Sequence, residues 1–231
     1  MTVACLRFPG TNGERELTRA LTAIGERVVS VDSRETHLPS STVRVVLPGG
    51  FSHGDALRAG ALAARSPVMA AVAAHVRAGG FVLGICNGFQ ILCEAGLLPG
   101  VLLANLSGRF VAREARLAVE SGTVLAGYLP QQLRLPIAHA AGRYVAAAGY
   151  VSPHAAAATV VFRYAPVDDP NPGASGTAGL LGGPCANVLG LMPHPERQID
   201  GAGPAYVDGM AGGSDGRLFF EAILRYDRER P

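Results

Sequence analysis

Lysine is absent from the 231-residue chain, so all 20 basic residues are arginine. The chain therefore has neither the lysine of a phosphate-binding loop nor a Schiff-base lysine, and we expect it to perform no nucleotide-triphosphate chemistry alone. Charged residues make up only 16% of the sequence, below the roughly 25% usual in soluble domains. The 48% hydrophobic content and the 30 glycines instead indicate a compact core with many turns.

Three further absences narrow the class of protein. No run reaches about 18 uncharged apolar residues and no basic region precedes an apolar stretch at the start, so we expect no membrane span or secretion signal. The net charge is only +2 and no basic run is joined to aromatic residues, which argues against nucleic acid as a partner. Four cysteines without paired spacing predict neither a zinc site nor a disulfide framework. We expect a cytoplasmic protein with a single domain over residues 1–231.

The order of apolar runs predicts the fold class. The first 95 residues alternate strand-like runs with longer amphipathic segments, which indicates a parallel sheet flanked by helices, and shorter β-type runs from about Val101 indicate an antiparallel extension. The strand-like runs are Val3–Phe8, Val28–Asp32, Val43–Leu47, Phe81–Ile85, Phe110–Val119, Leu133–Ile137, Thr159–Tyr164 and Val188–Met192; the helical segments are Glu14–Ile24, Pro67–Arg77 and Gly216–Arg228. The Gly-, Pro-, Asn- and Ser-rich segment Asp168–Pro184 predicts a surface loop. The predicted class is α/β, with an open, mostly parallel sheet and an antiparallel β extension.

Cys86 lies in a segment, Phe81–Leu92, that has the form strand, Gly-x-Cys-x-Gly, helix. This is the pattern of a nucleophile elbow with cysteine in place of serine. Gly84 and Gly88 allow the helix to cross close to the strand, and the strained turn between them presents the thiol to a ligand. The helix N-terminus favours the thiolate, and its free N–H groups can stabilise an oxyanion. The turn alone equally fits a buried cysteine in a tight strand-to-helix connection.

A second element with catalytic potential is the segment Met192–Arg197, which follows an apolar strand-like run. The prolines on either side of His194 favour extended backbone, so that His194 and Glu196 can point to the same side. A carboxylate so placed can orient an imidazole base and stabilise its protonated form. In isolation, such a motif is more often a proline-rigid surface loop. Together with the elbow it predicts a triad, with Cys86 as nucleophile, His194 as base and then acid, and Glu196 as the orienting carboxylate.

These two motifs together resemble the class I glutamine amidotransferases, in which a Cys-His-Glu triad hydrolyses the side-chain amide of glutamine. Six segments extend the likeness over nearly the whole chain and resemble the glutaminase subunits of phosphoribosylformylglycinamidine synthase. They are Arg7–Asn12, Leu47–Ser52, Gly54–Arg58, Cys86–Leu92, Pro136–His139 and Met192–Arg197. The resemblance implies a flavodoxin-like sheet and an enzyme that releases ammonia from glutamine.

The resemblance also implies roles for individual residues. Cys86, His194 and Glu196 take the family's triad, and the backbone N–H groups of Gly50 and Asn87 form the oxyanion hole. The positions implied to bind glutamine are Gly49, Phe51, Ser52, Gln90, His139, Arg143 and Tyr144. No metal is implied. The sequence departs from the family's usual residues at Gly13, Ala56, Ala59, Ala140 and Ala141, which concerns substrate contacts and docking rather than the triad.

The implied partners lie outside this chain. Ammonia would pass to a large ATP-using synthetase subunit that makes formylglycinamidine ribonucleotide in purine biosynthesis, and a small accessory subunit would join the complex. ATP and Mg²⁺ are expected on the synthetase, and no cofactor is expected in this chain. Two alternatives remain open. A free-standing cysteine hydrolase would cleave γ-glutamyl peptides without a partner, and a catalytically silent binding subunit would form no thioester with glutamine.

Overall fold

The computed structural model describes residues 1–146, 158–200 and 213–230. The strands are β1 Thr2–Arg7, β2 Val28–Asp32, β3 Thr42–Leu47, β4 Phe81–Ile85, β5 Val101–Leu103, β6 Val111–Val119, β7 Gln132–His139, β8 Arg143–Val145, β9 Thr159–Tyr164, β10 Thr177–Gly182 and β11 Val188–Leu191. The helices are α1 Glu14–Ala23, α2 Val68–Arg77, α3 Asn87–Glu94 and α4 Asp215–Glu229. Short 3₁₀ turns are Ser52–Asp55, Ala63–Arg65, Val124–Gly127, Pro166–Asp168 and Pro195–Arg197.

The described residues form one nine-stranded sheet in the order β2-β1-β3-β4-β11-β10-β9-β6-β7, together with a two-stranded sheet of β5 and β8. The strands from β2 to β11 pair in parallel, and those from β11 to β7 pair antiparallel. Strand β4 is buried at every residue, as expected for a parallel strand covered on both faces. The predicted α/β class with an antiparallel extension is confirmed.

The prediction of a surface loop over Asp168–Pro184 is wrong in its second half. Strand β10 occupies that part, lies between β9 and β11, and is buried at every residue. Its glycines serve close packing rather than turns. A side chain at Gly179 would place its Cβ 2.7 Å from the carbonyl oxygen of Gly190 and 2.9 Å from the Phe162 ring. Glycine content was therefore a misleading turn signal in a strand that other strands approach closely.

Helix α3 crosses close to the sheet because glycines remove side chains from the contact. A Cβ on Gly84 would lie 2.6 Å from the carbonyl carbon of Gly88, and one on Gly88 would lie 2.7 Å from that of Leu47. Helix α4 is anchored on the sheet through an ion pair from Arg44 to Asp227. The carboxyl ends of the parallel strands meet at one edge, where an open α/β sheet places its ligand site. None of the described helices is long and apolar enough to cross a bilayer.

Candidate active site

Cys86 occupies the turn between β4 and α3 with φ 50° and ψ −105°. A non-glycine residue in such a conformation costs on the order of 1–3 kcal/mol, and the surrounding structure must hold it there. The Cys86 N–H donates to the Leu191 carbonyl at 2.7 Å, and the Cys86 carbonyl accepts the N–H of Gln90 at 3.1 Å. The turn therefore has the strand–turn–helix geometry that its sequence predicts. Its sulfur is nearly buried and lies 3.7 Å from the Ala138 carbonyl oxygen.

His194 and Glu196 form a buried pair next to this turn. Nδ1 of His194 lies 2.6 Å from Oε1 of Glu196, and the His194 N–H donates to the Pro136 carbonyl at 2.7 Å. Burial disfavours the imidazolium, but the Glu196 carboxylate and the Cys86 sulfur outweigh it and raise the pKa of His194 to about 9. Burial likewise opposes ionisation of Glu196, yet the imidazolium holds the pKa of that carboxyl below its usual value. The pair thus favours the protonated form of the imidazole, which Glu196 orients next to the Cys86 turn.

The second ring nitrogen of His194, Nε2, is on the side of the ring away from Glu196. Within the described chain, Nε2 of His194 makes no hydrogen bond of normal geometry, although the Cys86 sulfur is close enough to stabilise its proton. Gly49 lies against both groups, since a Cβ there would be 2.7 Å from Cε1 of His194 and 3.6 Å from Cβ of Cys86. The absence of a side chain at Gly49 leaves room beside the His194 ring and the Cys86 side chain.

The turn at Gly49 and Gly50 follows β3 and is held by the loop after β1. The N–H of Phe51 donates to the Gly10 carbonyl at 3.2 Å, and the N–H of Gly13 donates to the Gly49 carbonyl at 3.0 Å. Gly50 has φ 143°, and a Cβ there would lie 2.8 Å from the Asn12 nitrogen. Its own N–H has no hydrogen-bond partner among the described residues. An unpaired N–H at this place suits the oxyanion donor that the sequence predicts for Gly50.

The departure at Gly13 has a local explanation. A Cβ at this position would lie 2.9 Å from the Gly49 carbonyl oxygen, which is tighter than an ordinary van der Waals contact. Glycine therefore lets the loop after β1 approach the Gly49–Gly50 turn without displacing it.

Asn87 begins α3, where backbone N–H groups have no acceptor within the helix. Its N–H and that of Gly50 are thus both available beside Cys86.

The residues implied to bind glutamine divide into two groups. Gln90 and Ser52 lie next to the cysteine turn, and Nε2 of Gln90 donates to the Ala141 carbonyl at 2.6 Å. The polar groups of Arg143 and Tyr144 are directed to another segment, since they donate to the carbonyls of Ala104 and Pro99 at 3.2 and 3.1 Å.

Two further residues of this set contact other side chains. Nδ1 of His139 lies 3.1 Å from Oδ1 of Asn105. The exposed Phe51 ring lies 6.3 Å from that of Phe110. The part these residues play in binding glutamine stays a prediction.

Asn105 is a buried residue that the sequence did not single out. Its Oδ1 contacts the His139 ring and accepts the Gly142 N–H at 3.1 Å, while its Nδ2 donates to the His139 carbonyl at 2.9 Å. The neighbouring Asn171 donates to the same Oδ1 at 3.4 Å. A single asparagine after a short strand is a common turn residue, so no sequence signal distinguished it.

Comparison with known proteins identifies relatives that match nearly the whole chain. Residues 1–226 match the model of the CobB/CobQ-like glutamine amidotransferase domain. Two curated proteins named "Phosphoribosylformylglycinamidine synthase subunit PurQ", from Chelativorans sp. (strain BNC1) and Novosphingobium aromaticivorans, are each 45% identical over 228 residues, which cover 97% of this chain and 98% and 96% of theirs. The chain belongs to the PurQ family of glutamine amidotransferases. A chain of the solved PurLQS structure from Thermotoga maritima aligns with a TM-score of 0.80 at 38% identity, covering 97% of this PurQ-family chain and 98% of its own length.

Among the residues in the described ranges, no three His, Cys, Asp or Glu side chains come together in a way that could hold a metal ion. The groups gathered at the carboxyl edge of the sheet are a thiol, an imidazole, a carboxylate and backbone amides. Such a set suits covalent acyl transfer.

The buried His139 should make this PurQ-family fold sensitive to acid. Burial, followed by the nearby His194 and Arg113 charges, lowers the pKa of His139 from 6.5 to about 4. Between these two pH values the unfolded chain binds a proton that the folded chain does not, so stability falls as the pH falls. The loss corresponds to about 3 kcal/mol.

We therefore expect His139→Gln to lose about 3 kcal/mol less stability than the parent protein between pH 7 and pH 4. Urea unfolding of both proteins at the two pH values measures the difference. Other acid-sensitive groups are the same in both proteins and cancel in the comparison. An equal loss in parent and variant would show that His139 accepts its proton without cost in the folded state.

Proposed function

We propose that this chain is the glutaminase subunit of phosphoribosylformylglycinamidine synthase and hydrolyses glutamine to glutamate and ammonia. The observation that carries the proposal is the buried His194–Glu196 pair set against Cys86 in its left-handed turn, with the unpaired Gly50 N–H beside it. Relatives of 45% identity that bear this subunit's name support it. The unit that performs the reaction is a single domain over residues 1–231.

In the first half of the proposed reaction, the Cys86 sulfur attacks the carboxamide carbon of glutamine as a thiolate. The new C–S bond pushes the carbonyl electrons onto oxygen, and the N–H groups of Gly50 and Asn87 stabilise that oxyanion. His194 transfers its proton from Nε2 to the amide nitrogen, the C–N bond breaks, and ammonia leaves. A γ-glutamyl thioester on Cys86 remains.

In the second half, the neutral His194 takes a proton from a water molecule as that water attacks the thioester carbon. The same two N–H groups hold the second oxyanion, which collapses with cleavage of the C–S bond. Glutamate leaves, and the thiolate–imidazolium pair is restored. Glu196 transfers no proton, because its part is to orient the ring and stabilise its charge.

Seven residues are proposed to hold the substrate glutamine in this reaction. They are Gly49, Phe51, Ser52, Gln90, His139, Arg143 and Tyr144. For Gln90 the proposal is supported by its place one helical turn after Cys86 and by its bond to the Ala141 carbonyl. For Arg143 and Tyr144 it requires that their polar groups leave the carbonyls they now contact.

The proposed acceptor of the ammonia is a large synthetase subunit in the cytoplasm. That subunit would bind ATP and Mg²⁺ and convert formylglycinamide ribonucleotide to formylglycinamidine ribonucleotide in purine biosynthesis, and a small accessory subunit would complete the complex. The proposal is supported by the likeness to a chain of the PurLQS structure. Because ATP binding falls to the synthetase in this proposal, the present chain, which has no lysine, needs no nucleotide site of its own.

Coupling to the synthetase should control the glutaminase rate. The segment after the Gly49–Gly50 turn holds three non-glycine residues in the left-handed region, His53, Asp55 and Leu57, with φ of 52°, 54° and 68°, and Leu57 is 90% exposed. A strained, exposed segment next to an oxyanion donor is suited to be reset by a docked partner.

We therefore expect the isolated chain to release glutamate about 5- to 150-fold more slowly than the chain assembled with its synthetase, the range of a typical coupling free energy. Glutamate release with and without the synthetase, at equal concentrations of this chain, measures the ratio. Equal rates in the two preparations would show that the site is complete without a partner.

Covalent labelling tests the proposed nucleophile directly. A glutamine-mimicking diazo-ketone should alkylate Cys86 and leave the other three cysteines largely unmodified. Burial raises the pKa of Cys5 to about 12 and that of the Cys93 thiol further above its usual value, while the exposed Cys185 has no place in the proposed site. Peptide mass mapping measures the distribution, and excess glutamine should protect Cys86. Label spread over all four cysteines, or concentrated on Cys93, would remove Cys86 from its role.

A further inference from the structure

The side chain of Asn87 is engaged in a way that its predicted role, donation from the backbone N–H, does not require. It is 1% exposed, and both ends of its carboxamide are occupied. Oδ1 accepts the N–H of Ser52 at 3.0 Å. Nδ2 donates to Oε1 of Gln90 at 2.8 Å and contacts Oδ1 of Asp55 at 3.4 Å. A buried amide with every polar atom satisfied specifies one arrangement of its neighbours.

The partners of Asn87 belong to different parts of the site. Ser52 lies two residues after Gly50 in the turn that follows β3, and Gln90 lies one turn along α3. Gln90 in turn donates to the Ala141 carbonyl in the segment after β7. The Asn87 side chain, next in sequence to the proposed nucleophile, therefore connects three parts of the site. These are the Gly49–Gly50 turn (the oxyanion turn), helix α3 (the nucleophile helix) and the segment after β7 that carries several of the proposed glutamine contacts.

The oxyanion turn needs such a connection. Its glycine pair is free to adopt many backbone conformations, and misplacing a catalytic group by about 1 Å can cost about 100-fold in rate. On the N-terminal side, the loop after β1 holds the turn through the Gly13–Gly49 and Phe51–Gly10 bonds. On the C-terminal side, the bond from the Ser52 N–H to Asn87 holds it against the nucleophile helix.

We propose that the Asn87 side chain is a positioning residue that fixes the Gly50 N–H relative to the Cys86 sulfur and ties it to the segment after β7. The proposal rests on the proposed glutaminase function. Asn87 acts through Ser52 and Gln90, since its own polar atoms are all bound within the protein. An asparagine is required because this position needs an acceptor for Ser52 and a donor toward two side-chain oxygens. An aspartate would keep the acceptor and place a second carboxylate against Asp55 and the Gln90 oxygen.

The test compares Asn87→Ala and Asn87→Asp with Asn187→Ala in the complex assembled with the synthetase. Asn187 is a matched control, because it is an equally buried carboxamide that donates two bonds, to the Val76 and Gly80 carbonyls, but it lies at the opposite end of β11. Four assays are run on each protein: steady-state glutamine hydrolysis for kcat and KM, the rate and pH profile of Cys86 alkylation by iodoacetamide, co-elution with the synthetase in gel filtration, and unfolding in urea.

We expect Asn87→Ala to lower kcat for glutamine about 100-fold, as for loss of an oxyanion donor, with a much smaller change in KM. Iodoacetamide forms no oxyanion, so its rate with Cys86 should stay within about twofold. Asn87→Asp retains the bond to Ser52 and should keep about tenfold more kcat than Asn87→Ala. Its added carboxylate should shift the alkylation profile to higher pH. Asn187→Ala should lose stability while keeping kcat.

The possible outcomes separate the two proposals. If the parent complex does not hydrolyse glutamine, the proposed function fails and this inference falls with it. If the parent complex is active and Asn87→Ala keeps its kcat, or loses no more than Asn187→Ala, only the positioning role is wrong. A parallel loss of iodoacetamide reactivity, or an Asn87→Asp kcat no higher than that of Asn87→Ala, also overturns it. Should Asn87→Ala fail to assemble, as judged by its failure to co-elute with the synthetase in gel filtration, the kcat and pH profile of Asn87→Asp decide.

Discussion

Cys86→Ala in the assembled complex is expected to reduce glutamine-dependent synthesis by about 10⁴-fold or more, the loss typical of removing a nucleophile from a triad. Synthesis from added ammonium salts should continue at a near-normal rate, because the acceptor chemistry is proposed to lie on the synthetase subunit. The substitution removes a single atom from a site that is nearly buried, and alanine can occupy the same turn at a comparable backbone cost. The two nitrogen sources, assayed on one preparation, separate the glutaminase step from the synthetase step.

Cys93→Ala provides the control for this prediction. Cys93 is also buried on α3, but it lies near the C-terminal end of that helix, away from Cys86, and its sulfur contacts the Pro99 carbonyl at 3.7 Å. It should keep both glutamine- and ammonium-dependent synthesis. Loss of both activities in Cys86→Ala, with the complex still assembled, would mean that this subunit takes part in the synthetase reaction and that the division of labour is mistaken.

The second large effect is expected at His194. His194→Ala removes the group proposed to protonate the leaving ammonia and activate water, and should lower glutaminase turnover by about 10⁵-fold or more. Glu196→Gln should be about 10- to 100-fold less damaging, because the carboxylate orients the ring but transfers no proton. Steady-state glutamate release by the assembled complex measures both. Near-normal turnover in His194→Ala would show that another group is the base.

The pH profile of Glu196→Gln provides an independent check. The Glu196 carboxylate is a main cause of the raised pKa of His194, which is about 9. Without that charge the imidazolium is less stable, so the alkaline limb of kcat/KM should move to lower pH. Arg197→Gln is a useful comparison, because it removes a charge that bonds to Glu16 and acts on Glu196 but leaves the carboxylate beside the imidazole in place. An unshifted limb in Glu196→Gln would contradict the electrostatic role assigned to the carboxylate.

The site residues that sequence could predict are those fixed by local backbone chemistry. Gly84 and Gly88 on either side of Cys86 predict a tight turn, because a side chain at either position would clash with α3 or with a neighbouring strand. The prolines around His194 predict extended backbone leading to a carboxylate two residues later. The structure has Glu196 in the 3₁₀ turn Pro195–Arg197 instead, and the imidazole and the carboxylate are still in contact. These constraints act within a few residues, so a single sequence displays them.

Features that depend on distant chain segments could not be predicted in the same way. Gly50 pairs with Thr11 in the loop after β1, in an arrangement that leaves the Gly50 N–H without a partner among the described residues. The bond from Ser52 to the Asn87 side chain joins segments 35 residues apart. Strand β10 was missed for a similar reason. Its glycines resemble turn residues until β9 and β11 lie on either side of it, and only then does close packing explain them.

Capture of the thioester is the most direct test of the account. The assembled complex is mixed with glutamine and the acceptor substrates, quenched in acid within the first turnovers, digested and examined by mass spectrometry. We expect a γ-glutamyl adduct on the peptide that contains Cys86. The adduct should form at least as fast as glutamate is released and should be absent from Cys86→Ala. Glutamate released at the normal rate with no adduct on Cys86, or with the adduct on another residue, would contradict it.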